Sequence, residues 1–456
     1  MKPARMLMVT SLYPYGQGET FVTAELEHVA RSLGRIGIVP GFYVPGTTPR
    51  PARQLVDLAY ADTRWGFLRV PRMLACLLLA LVHYRWAGDL ATILARPRKL
   101  DNLKELVRAL YRARMFEHFL GGLARRARSG AAHACGAGSD AGVDIVYFYW
   151  MVPEIAGALH FRKASGAPLR IVCRAHRGDL YEELKPGGYA GLRRTVMAGI
   201  DDVYCISQHG ARYLAGRFPA ASGKIHVFRL GVDDPGFLNR QPHDGPLSIV
   251  SCAFVIASKR LHLIVDAMAC LLAADPALQI RWTHVGDGPL LEQVRAHAAK
   301  RLGGFGARAQ AVFEGYRTQA ELMALYRAEA FDVIANVSDS EGIPVSLMEA
   351  CAAGMPMVAA DVGGNAEIVN GANGVLLPAD AGAAAIAAAL LRFNDRAAAH
   401  AVRAAARRHW AAHFDAAANY ARFGRELAGG GQAPPHAAAG AAPVLDVVGG
   451  DGPPAG

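Results

Sequence analysis

Cysteine is scarce in this sequence and irregularly spaced. The 456 residues include only seven cysteines, an odd number, and no Cys-x-x-Cys pair occurs among them. A disulfide framework needs paired cysteines, and a cysteine zinc site needs closely spaced ones. We therefore expect neither, and predict reduced thiols, mostly in the core, of a cytoplasmic protein.

Long hydrophobic runs are also missing, although 52% of the residues are hydrophobic. The N-terminal stretch MKPARMLMVTSLYPYG lacks the apolar segment of about 7–15 residues and the cleavage site of a signal peptide. We interpret it as a first β-strand. The apolar run MLACLLLALV at residues 73–82 is half the length of about 20 residues that a membrane-spanning helix needs.

Acidic residues are clearly outnumbered in one region only. The net charge is +10, and residues 64–128 hold fourteen Lys or Arg against four Asp or Glu, so the rest of the chain is close to neutral. This window also contains the apolar run, with basic and aromatic residues around it: Arg69, Arg72, Arg85, Trp65, Phe67, Tyr84 and Trp86. A helix lying on an anionic membrane needs this mixture, while a buried helix with a solvated basic face is the equal alternative. Nucleic-acid binding is not expected, because no recognition motif accompanies the charge.

A second helical pattern in this window begins at Leu100. Lys104, Arg108 and Arg112 recur four residues apart, which places them in one row on the helix surface. The apolar residues of the pattern are predicted to lie together on one side of the helix: Leu103, Leu106, Val107, Leu110, Phe116, Leu120 and Leu123.

Short apolar runs alternate with longer helical patterns over most of the chain, which is typical of parallel sheets covered by helices. The predicted strands are residues 5–11, 36–43, 143–150, 170–174, 203–206, 224–228, 247–252, 279–285, 311–314, 333–336 and 357–360. The sequence therefore predicts an α/β protein with two doubly wound, Rossmann-like units.

Composition indicates where these units begin and end. The polar segment NRQPHDGP at residues 239–246 is typical of a linker, so we predict domains at residues 1–240 and 245–410. Residues 131–142 lack periodicity and are predicted to be a loop. The Ala/Gly/Pro-rich tail, residues 428–456, is predicted to be disordered.

The segment that indicates chemistry is FDVIANVSDSEGIPVSLMEACAAGMPMVAADVGGNAEIVNGANGVLL, residues 331–377. A strand ending near Asn336 is followed by a turn and by a helix starting near Pro344, since Pro is favoured at the first helical position. The free N–H groups of such a helix end bind anions such as a diphosphate. Glu341 precedes this helix and Glu349 lies inside it. Taken alone, this spacing favours a cap and a surface charge, because two Glu eight residues apart arise often by chance.

The surrounding residues, SEGIPVSLMEACAAGMPMVAADVGGNAEIV, closely resemble the Glu-x7-Glu region of the retaining family 4 glycosyltransferases, which have the GT-B fold. Five more segments resemble that family in order: residues 16–25 (GQGETFVTAE), 174–181 (RAHRGDLY), 224–233 (KIHVFRLGVD), 251–267 and 284–290 (HVGDGPL). The resemblance covers about residues 5–425 apart from the basic window. It implies two domains facing a cleft, with a final helix at residues 411–427 crossing back to the first.

The resemblance also implies roles for single residues. Glu341 would contact the donor hexose, Glu349 the nucleotide ribose, and Lys259 the diphosphate. The backbone of the helix start would hold the diphosphate through Gly342, Ile343, Pro344 and Val345.

One position departs from the family pattern. Many members have an Arg five residues before the lysine, and here that position is Phe254. Arg260 either supplies a second cation for the donor or is a surface residue.

The first domain would supply the opposite wall of the cleft. His176 follows a predicted strand and would contact the donor sugar or its phosphate. Gly16 and Gly18 would approach the reacting centre, Gly18 on the donor side and Gly16, with Glu19, on the acceptor side; a tight turn followed by a helix-terminal Glu is the alternative.

The expected activity is transfer of a hexose from a nucleoside diphosphate sugar to a hydroxyl, with retention at the anomeric carbon. No cofactor or metal is expected, since no Asp-x-Asp motif occurs. The expected acceptor is a lipid-linked or cell-surface glycan, met at the inner face of the plasma membrane. A GT-B phosphorylase or epimerase, and a non-catalytic protein binding sugar nucleotides or membranes, remain alternatives.

Overall fold

The structure is a computed structural model that describes residues 4–16, 19, 21–43, 45–50, 54–64, 70–84, 86–128 and 143–429; for residues 62–64 and 70–76 it describes the backbone alone. The predicted loop at 131–142 and the tail beyond residue 429 lie outside these ranges, as do Gly18, Trp65, Phe67, Arg69 and Arg85.

The first parallel sheet has seven strands in the order β3-β2-β1-β4-β5-β6-β7. They are β1 (Arg5–Thr10), β2 (Arg35–Pro40), β3 (Leu55–Val56), β4 (Ile145–Phe148), β5 (Arg170–Ala175), β6 (Asp202–Cys205) and β7 (Ile225–Val227). Alternate side chains of β1 enter cores on opposite faces: Leu7 and Val9 on one, Met6 and Met8 on the other. Both faces are therefore covered, as in a doubly wound sheet.

The second parallel sheet has six strands in the order β10-β9-β8-β11-β12-β13. They are β8 (Leu247–Cys252), β9 (Ile280–Val285), β10 (Ala309–Phe313), β11 (Val333–Asn336), β12 (Met357–Ala360) and β13 (Gly374–Leu377). We call the first sheet with its helices the N-terminal domain and the second the C-terminal domain.

Helices connect these strands and cover the sheets. In the N-terminal domain they are α1 (Phe21–Val29), α2 (Ala59–Arg64), α3 (Val70–His83), α4 (Ala87–Leu94), α5 (Lys99–Arg128), α6 (Glu154–Ser165), α7 (Arg177–Leu180), α8 (Arg193–Gly199) and α9 (Gln208–Arg217). The remaining helices are α10 (His262–Ala274), α11 (Leu291–Leu302), α12 (Gln319–Ala328), α13 (Val345–Ala352), α14 (Asn365–Ile368), α15 (Ala383–Leu391), α16 (Arg396–His413) and α17 (Ala416–Leu427).

The prediction of two parallel sheets in an α/β fold is confirmed, and each predicted strand has a counterpart. The sequence interpretation missed β3 and β13, which lie at the edges of their sheets. Two residues of β3 and four of β13 are too few for a periodic pattern. The first residue of β13 is Gly374. A side chain would not fit at this position, because a Cβ would lie 2.2 Å from the Met357 carbonyl oxygen.

Helix α17 returns from the C-terminal domain to the N-terminal one. It begins at Ala416, later than residue 411, because α16 continues to His413. Asp415 caps its start by accepting a hydrogen bond from the Ala418 N–H at 3.0 Å. Its Tyr420 ring stacks on His28 of α1, at 6.1 Å between centroids. The last helix thus ties the two domains together.

Helices α3 to α5 form most of the basic window. Leu106 and Leu110 of α5 are buried, whereas Leu103 and Val107, predicted on the same side, are exposed. The apolar residues therefore divide between two faces. In the described ranges no single helix is long and apolar enough to cross a membrane, although the bent pair Leu77–His83 and Ala87–Leu94, meeting at 99°, reaches that length and composition together.

Candidate active site

The loop between β11 and α13 lies at the carboxyl edge of the second sheet. Helix α13 begins at Val345, with Pro344 at the N-cap position in an extended conformation. No side chain caps the helix start, and its first turn carries no acidic residue. Its first N–H groups are therefore available to an anion, and the helix dipole adds positive potential there.

Glu341 and Lys259 meet beside this helix start. The Lys259 ammonium donates to Glu341 Oε1 at 2.6 Å, and the Asn336 amide donates to the same oxygen at 3.1 Å. Lys259 comes from a short helical turn, Ala257–Lys259, which follows the central strand β8. Because neighbouring parallel strands end at the same edge, the topology brings together two residues that are 82 positions apart.

Arg260 uses its guanidinium to hold backbone. It donates to the carbonyl oxygens of Val337 at 2.7 Å, Ser338 at 3.3 Å and Ala379 at 2.9 Å. These hydrogen bonds hold the loop that leads to Glu341, so Arg260 supports the backbone of the site. Phe254, at the position where the resemblance expects an Arg, is 61% exposed.

Glu349 is buried within α13. Its only polar contact in the described structure is with the Gln319 amide, which donates to Oε1 at 3.3 Å. Burial raises the pKa of Glu349 to about 7 because desolvation disfavours the carboxylate. Glu349 and Gln319 line a cavity of about 230 Å³ beside Asp233 and Pro235, where the chain crosses between domains.

His176 directly follows strand β5 and is the N-cap residue of α7 in the N-terminal domain. Its ring lies among aromatic side chains, 4.5 Å from Trp150 and 5.0 Å from Tyr149 between centroids. Within the described ranges neither ring nitrogen has a hydrogen-bond partner. Burial, with a smaller contribution from the Arg174 charge, holds the pKa of His176 well below its usual range, so the imidazole is neutral.

Asp179 fixes the backbone that carries this histidine. Its carboxylate accepts from the His176 N–H at 2.6 Å and from the Met151 N–H at 2.6 Å. Burial raises the pKa of Asp179 to about 6. Asp179 was not among the predicted site residues, although it lies three residues after His176, at the spacing of a capping box.

The glycine loop after β1 is organised by Glu19. Its carboxylate accepts from the N–H groups of Ser11 at 3.0 Å, Leu12 at 2.6 Å and Tyr13 at 2.7 Å, and also from the Trp150 indole. Both oxygens are thus occupied by the protein. Gly16 is in the same loop, with φ of +73°; a contact of either residue with an acceptor stays a prediction.

The two walls meet at α7. Arg177, next to His176, donates through Nε to Ser340 Oγ at 2.9 Å, and a Cβ on Gly342 would lie 3.0 Å from Arg177 Cβ. Gly342 is therefore required for close approach of the domains. Behind it, a Cβ on Gly363 would lie 2.0 Å from the Glu341 carbonyl oxygen, a contact that the sequence analysis did not identify.

The fold and the C-terminal half resemble known proteins. Residues 247–395 match the family model described as Glycosyl transferases group 1. They form a group 1 glycosyltransferase domain. This group 1 domain includes Lys259, Glu341 and Glu349, whereas His176 and the glycine loop lie outside the matched residues.

Two curated relatives match part of the chain. The amylovoran biosynthesis glycosyltransferase AmsK of Erwinia amylovora is 32% identical over 182 residues, which cover 38% of this chain and 42% of that protein. The putative colanic acid biosynthesis glycosyltransferase WcaL of Salmonella typhimurium is 33% identical over 181 residues, again 38% and 42%. The matches thus span about two fifths of the length of these relatives.

Two solved structures match nearly the whole chain. The lipopolysaccharide outer core galactosyltransferase WaaB has a TM-score of 0.62 at 15% identity and covers 94% of this chain and 99% of its own. HepE of Anabaena, in complex with UDP, has a TM-score of 0.57 at 15% identity and covers 94% and 100%. At such identities the likeness concerns the fold, which is GT-B.

Proposed function

We propose that this protein is a retaining, metal-independent glycosyltransferase that moves a hexose from a nucleoside diphosphate sugar to a glycan hydroxyl. The observation that carries the proposal is the cluster of Lys259, Glu341 and the uncapped start of α13, placed directly across from the His176 segment. A cation, a carboxylate and free N–H groups in one cleft fit a phosphate and a sugar side by side.

In the proposed reaction the bond between the anomeric carbon and the diphosphate oxygen breaks, and its electron pair leaves with the diphosphate. Lys259 and the α13 N-terminus stabilise that negative charge. The acceptor oxygen forms the new bond on the face the diphosphate leaves, and its proton passes to a phosphate oxygen. Glu341 and the neutral His176 hold sugar hydroxyls by hydrogen bonds.

The proposed acceptor is a glycan, free or lipid-linked, in the synthesis of a cell-surface polysaccharide. AmsK and WcaL are named for the biosynthesis of amylovoran and colanic acid, both at about one-third identity. HepE is described in complex with UDP-glucose, which supports a nucleoside diphosphate sugar as donor. The five cysteines whose side chains the structure describes are free thiols, which suits a cytoplasmic enzyme.

The donor site is tested by thermal unfolding of the purified protein with UDP-, GDP- and ADP-linked sugars, without added metal. One nucleotide is expected to stabilise the fold by about 2.7 kcal/mol at a hundredfold excess over its dissociation constant. Glu349→Ala should weaken this shift, whereas Glu292→Ala, at an exposed carboxylate of α11, should retain it. Absence of a shift with every nucleotide contradicts the proposal.

The transfer step is tested with Lys259→Ala. Loss of one cation at the departing diphosphate is expected to lower kcat about a hundredfold, while Lys300→Ala, at an exposed residue of α11, keeps the wild-type rate. NMR of the product gives the anomeric configuration, and inversion would contradict retention.

Phe254 favours one alternative, a non-catalytic protein that binds sugar nucleotides, because an exposed ring stands where the resemblance expects a cation. That alternative predicts a thermal shift with a nucleotide sugar but no product with any acceptor. Epimerisation would convert the sugar nucleotide without an acceptor glycan, so omitting the acceptor separates it from transfer. Phosphorolysis would release a sugar 1-phosphate from a glycan and inorganic phosphate without a sugar nucleotide, so omitting the donor separates it.

A further inference from the structure

The first turns of α5 expose an apolar row to solvent. Leu100 is 75% exposed, Leu103 43% and Val107 39%. Their spacing of three and four residues puts them on one face of the helix. The opposite face is buried, with Leu106 and Leu110 in the core. This row is therefore a second face of α5, separate from the one that packs.

Cationic side chains follow the same face. Lys104 and Arg108 each come directly after a member of the row and are exposed, and neither forms an ion pair in the described structure. Arg112 does not continue them, because it pairs at 2.8 Å with Glu154, whose side chain is buried. Two acidic residues, Asp101 and Glu105, also lie on these turns. The two exposed basic residues Arg98 and Lys99 offset their negative charge.

Exposed apolar residues continue onto the neighbouring helices. Of the fourteen large hydrophobic residues found exposed in the described ranges, eight lie between residues 78 and 107. Those before α5 are Leu78, Leu79, Leu81 and Val82 on α3 and Leu94 on α4. Such a concentration marks an interaction surface rather than ordinary scatter.

We propose that this surface, defined by Leu94, Leu100, Leu103, Lys104, Val107 and Arg108, docks the protein on an anionic lipid bilayer. Leucine and valine side chains enter the headgroup boundary, and Lys104 and Arg108 reach anionic headgroups beside them. Charge complementarity selects the anionic lipid, since unpaired cations flank the row.

The docking surface is joined to the segment that follows His176. Arg96, just before α5, pairs with Glu182 at 2.7 Å. Gly187 packs so closely on Asn102 of α5 that a Cβ would lie 1.8 Å from the amide oxygen. Docking therefore places the N-terminal wall of the cleft near the membrane. This inference does not depend on the proposed transfer reaction, because lipid binding is measured by itself.

The test is flotation of the full chain with vesicles of phosphatidylcholine alone or with about 30% phosphatidylglycerol, whose anionic headgroups attract basic residues. Wild-type protein is expected to bind the anionic vesicles, and to be released by about 1 M salt, at which the Debye length falls to about 3 Å. The double variant Lys104→Glu/Arg108→Glu should bind the anionic vesicles at least about thirtyfold more weakly than wild type.

Matched variants separate this surface from general effects. Lys300→Glu/Arg408→Glu makes the same charge change at exposed residues of the C-terminal domain and should bind like wild type. Leu103→Ser should weaken binding, whereas Leu391→Ser, at a leucine 42% exposed elsewhere, should not.

Three outcomes would overturn the proposal: no binding to anionic vesicles, equal loss in the matched charge variant, or protein that resists extraction by high salt and carbonate, which would indicate an embedded segment. The nucleotide-induced thermal shift, measured on every variant, reports the donor site and the fold separately from lipid binding.

Discussion

Glu349 is a carboxyl group placed where water does not stabilise its charge. The Gln319 amide nitrogen donates one hydrogen bond to Glu349 Oε1 at 3.3 Å. Burial raises the pKa of Glu349 to about 7. A group of this kind costs stability whenever it ionises. The cost is understandable if the carboxylate is there to accept hydrogen bonds from a ligand that replaces water.

We predict that Glu349→Gln stabilises the ligand-free protein at high pH. The folded-state pKa of about 7 lies above the unfolded value of 4.5, so the folded state binds more protons between these values and stability falls as pH rises through that window. Because glutamine does not ionise, the Glu349→Gln variant keeps the free energy of unfolding that wild type loses, at most about 3 kcal/mol above pH 7.

Urea unfolding at pH 5 and pH 8 measures this difference. The gain should be large at pH 8 and small at pH 5, where wild-type Glu349 is mostly protonated when folded. Glu292→Gln, at an exposed carboxylate, should change neither value by more than about 0.5 kcal/mol. An equal gain at both pH values would argue against a buried carboxyl with a raised pKa.

Strand β5 and helix α1 share a buried ion pair. Arg174 pairs with Glu25 at 2.8 Å, and both side chains are almost fully buried. The guanidinium also lies 4.3 Å from the ring centroid of Phe423 in α17. His176 is two residues further along the chain. The end of β5 that leads to the histidine therefore packs against α17, the helix that crosses between domains.

We predict that Arg174→Met destabilises the protein by about 3–5 kcal/mol, because it leaves Glu25 buried without its counter-charge. The double variant Glu25→Gln/Arg174→Met should recover part of the loss, since no buried charge then remains. Urea denaturation measures both.

An exposed pair provides the control for this measurement. Arg301→Met breaks the contact of Arg301 with Asp266 at 2.9 Å on the surface and should cost less than about 1 kcal/mol. A similar cost for the buried and the exposed pair would show that burial is not the source of the effect.

The two domains are also joined by Glu367 of the C-terminal domain. Its carboxylate accepts from Arg229 Nε at 3.0 Å and Nη2 at 2.8 Å, and from the His209 N–H at 3.1 Å. Both partners belong to the N-terminal half. Together with Arg177 and Ser340, these contacts hold the cleft walls against each other.

We predict that Glu367→Ala lowers kcat/KM about tenfold, since charge-assisted hydrogen bonds contribute about 1.5–3 kcal/mol and a smaller closed fraction reduces the apparent affinity for the donor. Small-angle scattering should show a larger radius of gyration. Glu314→Ala, which removes a contact with Arg317 inside one domain, should change neither quantity. An unchanged radius in Glu367→Ala would contradict a role in holding the domains together.

Local pattern was sufficient for all the described strands except the edge strands β3 and β13, because most of the others are short buried runs. It was insufficient for side-chain partners. Arg112 and Arg108 are indistinguishable in the sequence, yet Arg112 faces Glu154 of another helix while Arg108 faces solvent. Leu103 and Leu106 differ in the same way. Which residue of a helix finds a partner depends on what packs beside it.

The sequence by itself determined the α/β architecture and predicted a candidate site at the end of β11, because hydrophobic periodicity and the composition of the helix start are local properties. Only the tertiary structure decided which groups meet there. The contacts of Lys259 with Glu341 and of Arg174 with Glu25 join residues far apart in the chain. The ring of His176 is buried without a hydrogen-bond partner among the described residues. Their positions follow from strand order and burial, which arise when the sheets assemble.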